Sequence, residues 1–174
     1  LQIRDNERHT LNAIEFALVL LENYEADRAV VIPALILHDV GWSKVSQDII
    51  SRACRPQPDK TLVRIHERES ERIANTILMD IKHDRARSEK ILEIIGGHDT
   101  RGNSLSIDDK IVKDCDKLTR YAKNFWYWTS ALPMEPEKFA DTLEGLIDHW
   151  FFLDKSKEMA REELSQRRLE EREP

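Results

Sequence analysis

The sequence predicts an all-α fold, a single helical bundle, on three observations. Apolar residues recur at three- and four-residue spacing along nearly the whole chain, glycine (5) and proline (6) are sparse, and no stretch alternates apolar with polar residues as a half-buried strand would. At 174 residues the chain forms one domain with a core of its own, on a scale of roughly 150 residues per domain.

The elements follow in order. A first helix runs from about Arg8 to Tyr24 on a stripe of Leu11, Ile14, Leu18 and Leu21. A second covers about Ala29 to His38; it is apolar on every side and is expected at the centre of the bundle, with Pro33 imposing either a kink or a start just before it. Gly41 breaks it. The stretch from Ser51 to Asp59, with Pro56 and Pro58, reads as a loop, after which Asp59 or Thr61 caps a helix reaching about Met79. A helix from about Ala86 to Ile95 stops at Gly96-Gly97. Ser106 and Asp109 form a capping box for a helix from Ile107 to about Lys123. Pro136 opens a helix through Trp150-Phe151-Phe152. The helical domain thus spans residues 1–154, and residues 155–174 form a charged C-terminal helix or tail, solvated or frayed because only Met159, Leu164 and Leu169 anchor it.

Lysine plus arginine number 27 against 33 for aspartate plus glutamate, a net charge of -6 that opposes nonspecific binding to duplex nucleic acid. One small anionic ligand remains compatible, because a few local cations invert the potential of a site. The longest apolar run, Ala29 to Leu37, is too short to cross a bilayer, so no membrane partner is expected. Two cysteines, Cys54 and Cys115, make no disulfide framework, and no secretory leader pattern is seen near Leu1; the expectation is a cytoplasmic protein.

Four of the six histidines stand where an apolar helix face meets a break or a polar start. His38-Asp39 follows Leu35-Ile36-Leu37, His98-Asp99 follows Ile94-Ile95, His66 shares a face with Ser70, Ile73, Ala74 and Ile77, and His9 opens the first helix. Any one alone reads as a core histidine satisfied by a carbonyl. Four together with Asp39 and a further aspartate form a nitrogen and oxygen donor set suited to Fe, Mn, Zn or Ni. His83 and His149 read as surface or packing residues. On the wheel of Ile107, Ile111, Cys115, Leu118 and Ala122, Asp114 lies nearer the apolar face than Asp116.

His9, then His38-Asp39 within Ala34-Leu-Ile-Leu-His-Asp-Val-Gly41, then Asp114-Cys-Asp-Lys-Leu118 resembles the HD-domain superfamily of metal-dependent phosphohydrolases. The separation of 29 residues between His9 and His38 is similar too. The resemblance covers about His9 to Lys123. It implies Asp116 as the ligand, which asks for a rotation or bend of its helix and leaves Asp114 an outer or surface carboxylate. It also implies one ion held by His9, His38, Asp39 and Asp116, and, as in two-metal subfamilies, a second held by His66 and His98 with Asp39 bridging. The chain departs from the cyclic-dinucleotide phosphodiesterase branch, which has adjacent histidines where His98-Asp99 stands and a Gly-Tyr-Pro signature absent here. It also has His38-Asp-Val-Gly-Trp-Ser-Lys44 where His-Asp-x-Gly-Lys is common.

Two cations about 3.5–4 Å apart acidify a water and neutralise a phosphoryl group during in-line attack. The expected function is therefore hydrolysis of a nucleotide or other small phosphate ester at a site of one or two ions. Alternatives are a mixed-valent di-iron oxygenase of the same superfamily and a non-catalytic metal or nucleotide-binding module. Candidate phosphate contacts are Lys44, Arg64, Arg68, Arg101 and Lys117, each also readable as a solvated charge; Lys117, next to Asp116, is the best placed. Asp99 is a candidate to orient a histidine or relay a proton. Phe125-Trp-Tyr-Trp128 reads as core or as a wall for a stacked ring, the loop Thr100 to Leu105 as a rim of the site, and Cys115 as a small core residue.

Overall fold

The structure, a computed structural model, describes residues 6–46, 49–50, 59–122 and 136–170. Among these residues the chain is helical with no strand: α1 (Asn6–Asn23), α2 (Arg28–Leu37), a 3-10 turn (Val40–Lys44), α3 (Lys60–Asp80), α4 (Arg85–Ile95), α5 (Ile107–Leu118), α6 (Pro136–Trp150) and α7 (Asp154–Glu170). No helix among them is long and apolar enough to cross a membrane. The Phe125–Trp128 cluster, Cys54 and most of the Ser51–Asp59 stretch lie outside the described residues.

Four helices start on a side-chain cap that satisfies an otherwise orphaned backbone donor. Asp27 accepts from Ala29 N and Asp59 from Thr61 N, both at 2.9 Å, and Asp84 accepts from Arg87 N. Ser106 accepts from Asp109 N at 3.1 Å. The capping box is only half formed, because the Asp109 carboxylate turns to Leu105 N at 2.8 Å and to Arg101. Asp27, rather than Pro33, sets the start of α2, and the helix runs through Pro33 to Leu37.

Three expectations are corrected. The buried face of α1 is His9, Ala13, Ala17 and Leu20, whereas Leu11 is 54% exposed. Alanines let neighbouring helices approach closely, and the larger residues sit at the edge of the contact. The most enclosed helix is α5, packed against α1, α2 and α7 with nine of its twelve residues buried, while α2 leaves Ile36 exposed. Apolarity underestimates the burial of α5 because its inward residues include four aspartates and a lysine. The charged C-terminal segment is a packed helix, with Ser156, Met159, Ala160 and Leu164 buried against α5 and α6. Helix ends also shift: α5 stops at Leu118 on a Thr119 cap, and α6 stops at Trp150, before Phe151 and Phe152.

Asp114 explains the docking of α7. Its carboxylate accepts from Phe152 N and Leu153 N, both at 3.0 Å, and so caps the corner that leads into α7. Lys117 Nζ donates to Trp150 O at 3.0 Å in the same corner, and Tyr121 Oη donates to Leu143 O at 2.9 Å.

The 3-10 turn is pressed onto α3. Gly41 N donates to Ser70 Oγ at 2.9 Å, and a Cβ on Gly41 would lie 2.2 Å from His66 O and 2.4 Å from Ser70 N. Those neighbours are backbone atoms inside a helix and have little room to shift. Gly41→Ala is therefore expected to lower unfolding stability by about 1–3 kcal/mol or more, as for overpacked interiors, with the melting temperature as the measurement.

Candidate metal centre

Five segments deliver the inward histidines and aspartates to one place. His9 comes from the first turns of α1, His38-Asp39 from the end of α2, His66 from α3, His98-Asp99 from the turn after α4, and Asp116 from α5. The ends of α2 and α4 are built alike. His38 Nδ1 donates to Leu35 O at 2.7 Å and His98 Nδ1 to Ile95 O at 2.8 Å, each to the carbonyl three residues back. In the neutral ring this fixes the tautomer and points a lone pair on Nε2 into the interior. The C-terminal end of a helix also favours positive charge nearby.

The Nε2 atoms and carboxylate oxygens fall into two groups that share Asp39. In the first, His9 Nε2 lies 3.1 Å from His38 Nε2, 3.2 Å from Asp39 Oδ2 and 3.1 Å from Asp116 Oδ1. His38 Nε2 is 3.1 Å from Asp39 Oδ2 and 3.6 Å from Asp116 Oδ1. In the second, His66 Nε2 and His98 Nε2 are 3.3 Å apart and face the other oxygen, Asp39 Oδ1, at 3.6 and 3.8 Å. Asp99 Oδ2 stands 3.5 Å from His66 Nε2 and 3.7 Å from His98 Nε2, with its side chain 26% exposed at the solvent edge. The six donors in the two groups are buried.

This donor set fits a divalent transition metal. Acceptor atoms held within 3.1–3.8 Å of one another in a buried site repel unless a cation or protons lie between them. With protons alone, burial works against the His38 imidazolium, but the adjacent Asp39 and Asp116 carboxylates outweigh it and hold His38 up at about 10. Burial likewise opposes the charged form of Asp116, yet His38 and His9 hold its carboxyl well below the usual range.

Both aspartates of the α5 motif are buried, so no rotation or bend is needed to bring Asp116 to the histidines. Asp116 faces the cluster while Asp114, two residues earlier, faces the α6–α7 corner. The expectation of Asp114 as an outer or surface carboxylate gives way to a buried cap.

The cations divide. Lys117 is held near the cluster; burial lowers its pKa, while Asp114, Asp116 and Asp99 lie close enough to act in the opposite direction. Arg64 is engaged by Glu67 Oε2 at 2.8 Å and by Gly96 O. Arg101 donates to Asp109 Oδ2 at 3.0 Å and to Glu93 O at 3.1 Å. Lys44 and Arg68 are exposed, and Arg68, two residues from His66, lies roughly 200° round α3 from it. The Thr100–Leu105 loop is tied down: the buried Lys113 ammonium donates to Arg101 O at 2.6 Å and Asn103 O at 2.9 Å. His83 meets Ser88 Oγ at 3.0 Å and His149 is exposed, as surface or packing residues.

Sequence reasoning missed Glu67, Trp42 and Arg120. Glu67 is fully buried and accepts from Asp99 N, Thr100 N and Thr100 Oγ1 at 2.9, 2.8 and 2.6 Å, fastening the His98-Asp99 turn to α3. Burial opposes its charge, but Thr100 and Arg64 keep its carboxyl below the ordinary range. The stripe Val63, Glu67, Ser70, Ala74 and Leu78 carried that signal, because those spacings place Glu67 on the inward face. Trp42 Nε1 donates to Asp39 Oδ1 at 2.9 Å. The Arg120 guanidinium lies over the Trp150 ring at 5.1 Å and within reach of the Asp116 charge.

Two outcomes follow for measurement. Asp116→Ala is expected to lose metal, read by elemental analysis. Asp114→Ala is expected to keep metal but lose about 2–4 kcal/mol of stability, because two buried N–H groups lose their acceptor. In the ion-free protein, the raised pKa of His38 gives stability that is complete below about 6.5 and is lost as pH rises through about 10. Asp116, held low, contributes above 3.8 and loses that contribution as pH falls through its lowered value. The melting temperature without metal is thus expected to fall between pH 6.5 and 10. Metal replaces the proton, so the loaded protein is expected to lack this fall and to release protons on loading at pH 7.

The sequence matches the HD domain family over residues 6–121. No curated protein and no solved structure matches it. The matched residues contain every donor of both groups and the α5 motif, so the chain belongs to the HD-domain superfamily of metal-dependent phosphohydrolases.

Proposed function

We propose that the protein is a phosphohydrolase that cleaves a nucleotide or other small phosphate ester with two divalent ions. The observation that carries this reading is the Asp39 carboxylate, with Oδ2 facing His9 and His38 and Oδ1 facing His66 and His98. A buried carboxylate with both oxygens committed to separate imidazole pairs is the arrangement a shared ligand requires. His9, His38, Asp39 and Asp116 would hold one ion, and Asp39, His66 and His98 the other. When bound, such ions supply an acidified water and neutralisation of phosphoryl charge.

The chain's own groups supply the remainder. Asp99 Oδ2, near both His66 and His98 and open to solvent, is placed to take a proton from a water or to complete the donor set of the second group. Lys117, close to Asp114, Asp116 and Asp99, and Arg120, within reach of Asp116, bring positive charge to this side and suit an anionic substrate. The histidine donors are buried, and Asp99, 26% exposed, reaches solvent beside the second donor group.

The test is metal analysis followed by an anaerobic panel of phosphate esters. Phosphate release that depends on added Mn or Fe is the expected result. Oxygen consumption without phosphate release would instead favour the di-iron oxygenase that the same six donors resemble, and tight ligand binding with no product would favour a binding module. His66→Ala and His98→Ala are each expected to lower metal content by about one equivalent and to reduce turnover. Unchanged metal with a lower melting temperature in both variants would leave a one-metal site.

A further inference from the structure

Trp42 touches the centre in two ways at once. Its indole N–H donates to Asp39 Oδ1 at 2.9 Å, and its ring stacks on His66 with centroids 4.0 Å apart and planes 9° from parallel. The side chain is 6% exposed. Its position is dictated by the backbone: the 3-10 turn begins at Val40, Gly41 lies against His66 O and Ser70 N, and the next residue therefore falls on the imidazole of His66. The outer face of the ring joins a small apolar group of Val45, Ile50 and Val63, separate from the main core.

One contact falls on the shared carboxylate and the other on the second donor group. Oδ1 is the oxygen that faces His66 and His98, and His66 belongs to the same group. Oδ2 of the same carboxylate faces His9 and His38. A hydrogen bond to a ligating carboxylate fixes its orientation, and a flat stack fixes the plane of the imidazole beside it. The stack acts on the second ion position alone, whereas the hydrogen bond orients the shared carboxylate; the second position, with only His66 and His98 beside Asp39 against His9, His38 and Asp116 for the first, is the one that depends on both restraints.

We propose that Trp42 is a positioning residue for the second ion position, holding Asp39 Oδ1 and the His66 ring so that a second divalent transition metal loads there. The inference rests on the two-ion reading above. It makes the two positions unequal: the first keeps three donors of its own beside the shared carboxylate, and the second keeps two and depends on an indole that ligates nothing.

The experiment is titration of the metal-free full chain with Mn(II), followed by calorimetry, elemental analysis and tryptophan emission, in the wild type, Trp42→Phe and Val63→Ala. Trp42→Phe keeps an aromatic ring and removes the N–H; Val63→Ala loosens the same apolar group and leaves both contacts in place. The expected result is that Trp42→Phe weakens the second equivalent about 10–100-fold, the usual scale for residues that orient ligands, and leaves the first within about twofold. Quenching of emission by the paramagnetic ion is expected to follow the second equivalent in the wild type and to lose that phase in Trp42→Phe. Val63→Ala is expected to lower the melting temperature with both affinities kept. A merely structural role predicts otherwise: equal weakening of both equivalents in Trp42→Phe, or as large a loss in Val63→Ala, overturns the proposal. Two equivalents with unchanged affinities in Trp42→Phe overturn it alone, whereas a single equivalent in the wild type overturns the two-ion reading and this inference with it.

Discussion

Electron-pair donors forced together where water cannot separate them are the constraint on which this bundle depends. Five segments deliver an imidazole or a carboxylate to one place, two of them at helix C-terminal ends, and within each donor group the ligand atoms lie within 4.8 Å of one another. Such a cluster is unfavourable without positive charge, and the helix arrangement answers with geometry as well as composition. The ends of α2 and α4 present the negative side of their dipoles, and their histidines are locked by the carbonyl three residues back. Packing of the main core then holds those ends in place; Ala13, Ala17, Leu35 and Ile95 are fully buried around them.

A polar centre also needs polar support, and the surrounding carboxylates and ammonium group provide it. Glu67 gathers three donors from the Asp99-Thr100 turn, and Asp109 gathers Leu105 N and Arg101. Lys113 closes the other side of the loop through two carbonyls. A buried ion left without partners costs several kcal/mol, on the order of what a whole small domain has to spare, so each of these groups is tolerable only because its partners are in place. The loop that rims the centre is therefore a braced structure.

The helices and the inward histidines with Asp39 were legible because they rest on local patterns, whereas Asp116 came from the family resemblance. Aspartate and serine caps stand directly before periodic apolar runs, and His38 and His98 follow the most apolar ends in the chain. What escaped was set by neighbours distant in sequence. A helix wheel ranks Asp114 above Asp116 by apolar company alone, whereas α5 is enclosed on almost every side, so each aspartate finds its own buried partner. Lys113 looks like a surface charge until the loop it holds is brought against it, and Glu67, although its spacing puts it on the inward stripe of α3, has no visible partner until the same loop closes on it. Leu11 looks like core because it is large, yet the alanines of α1 mark the true contact. Trp42 carried no signal of its own: only the close approach of Gly41 to α3 puts an indole on His66.

The family match ends at residue 121, but the burial of the metal helix does not. Asp114 holds the backbone of Phe152 and Leu153, and α7 lies against α5 on that side. A fragment cut at the family boundary would open that carboxylate and the apolar flank around it to water, two residues from Asp116. The matched residues are thus not the whole of the packed unit around the centre. The C-terminal helix is joined through the Asp114 carboxylate to the same helix that carries Asp116.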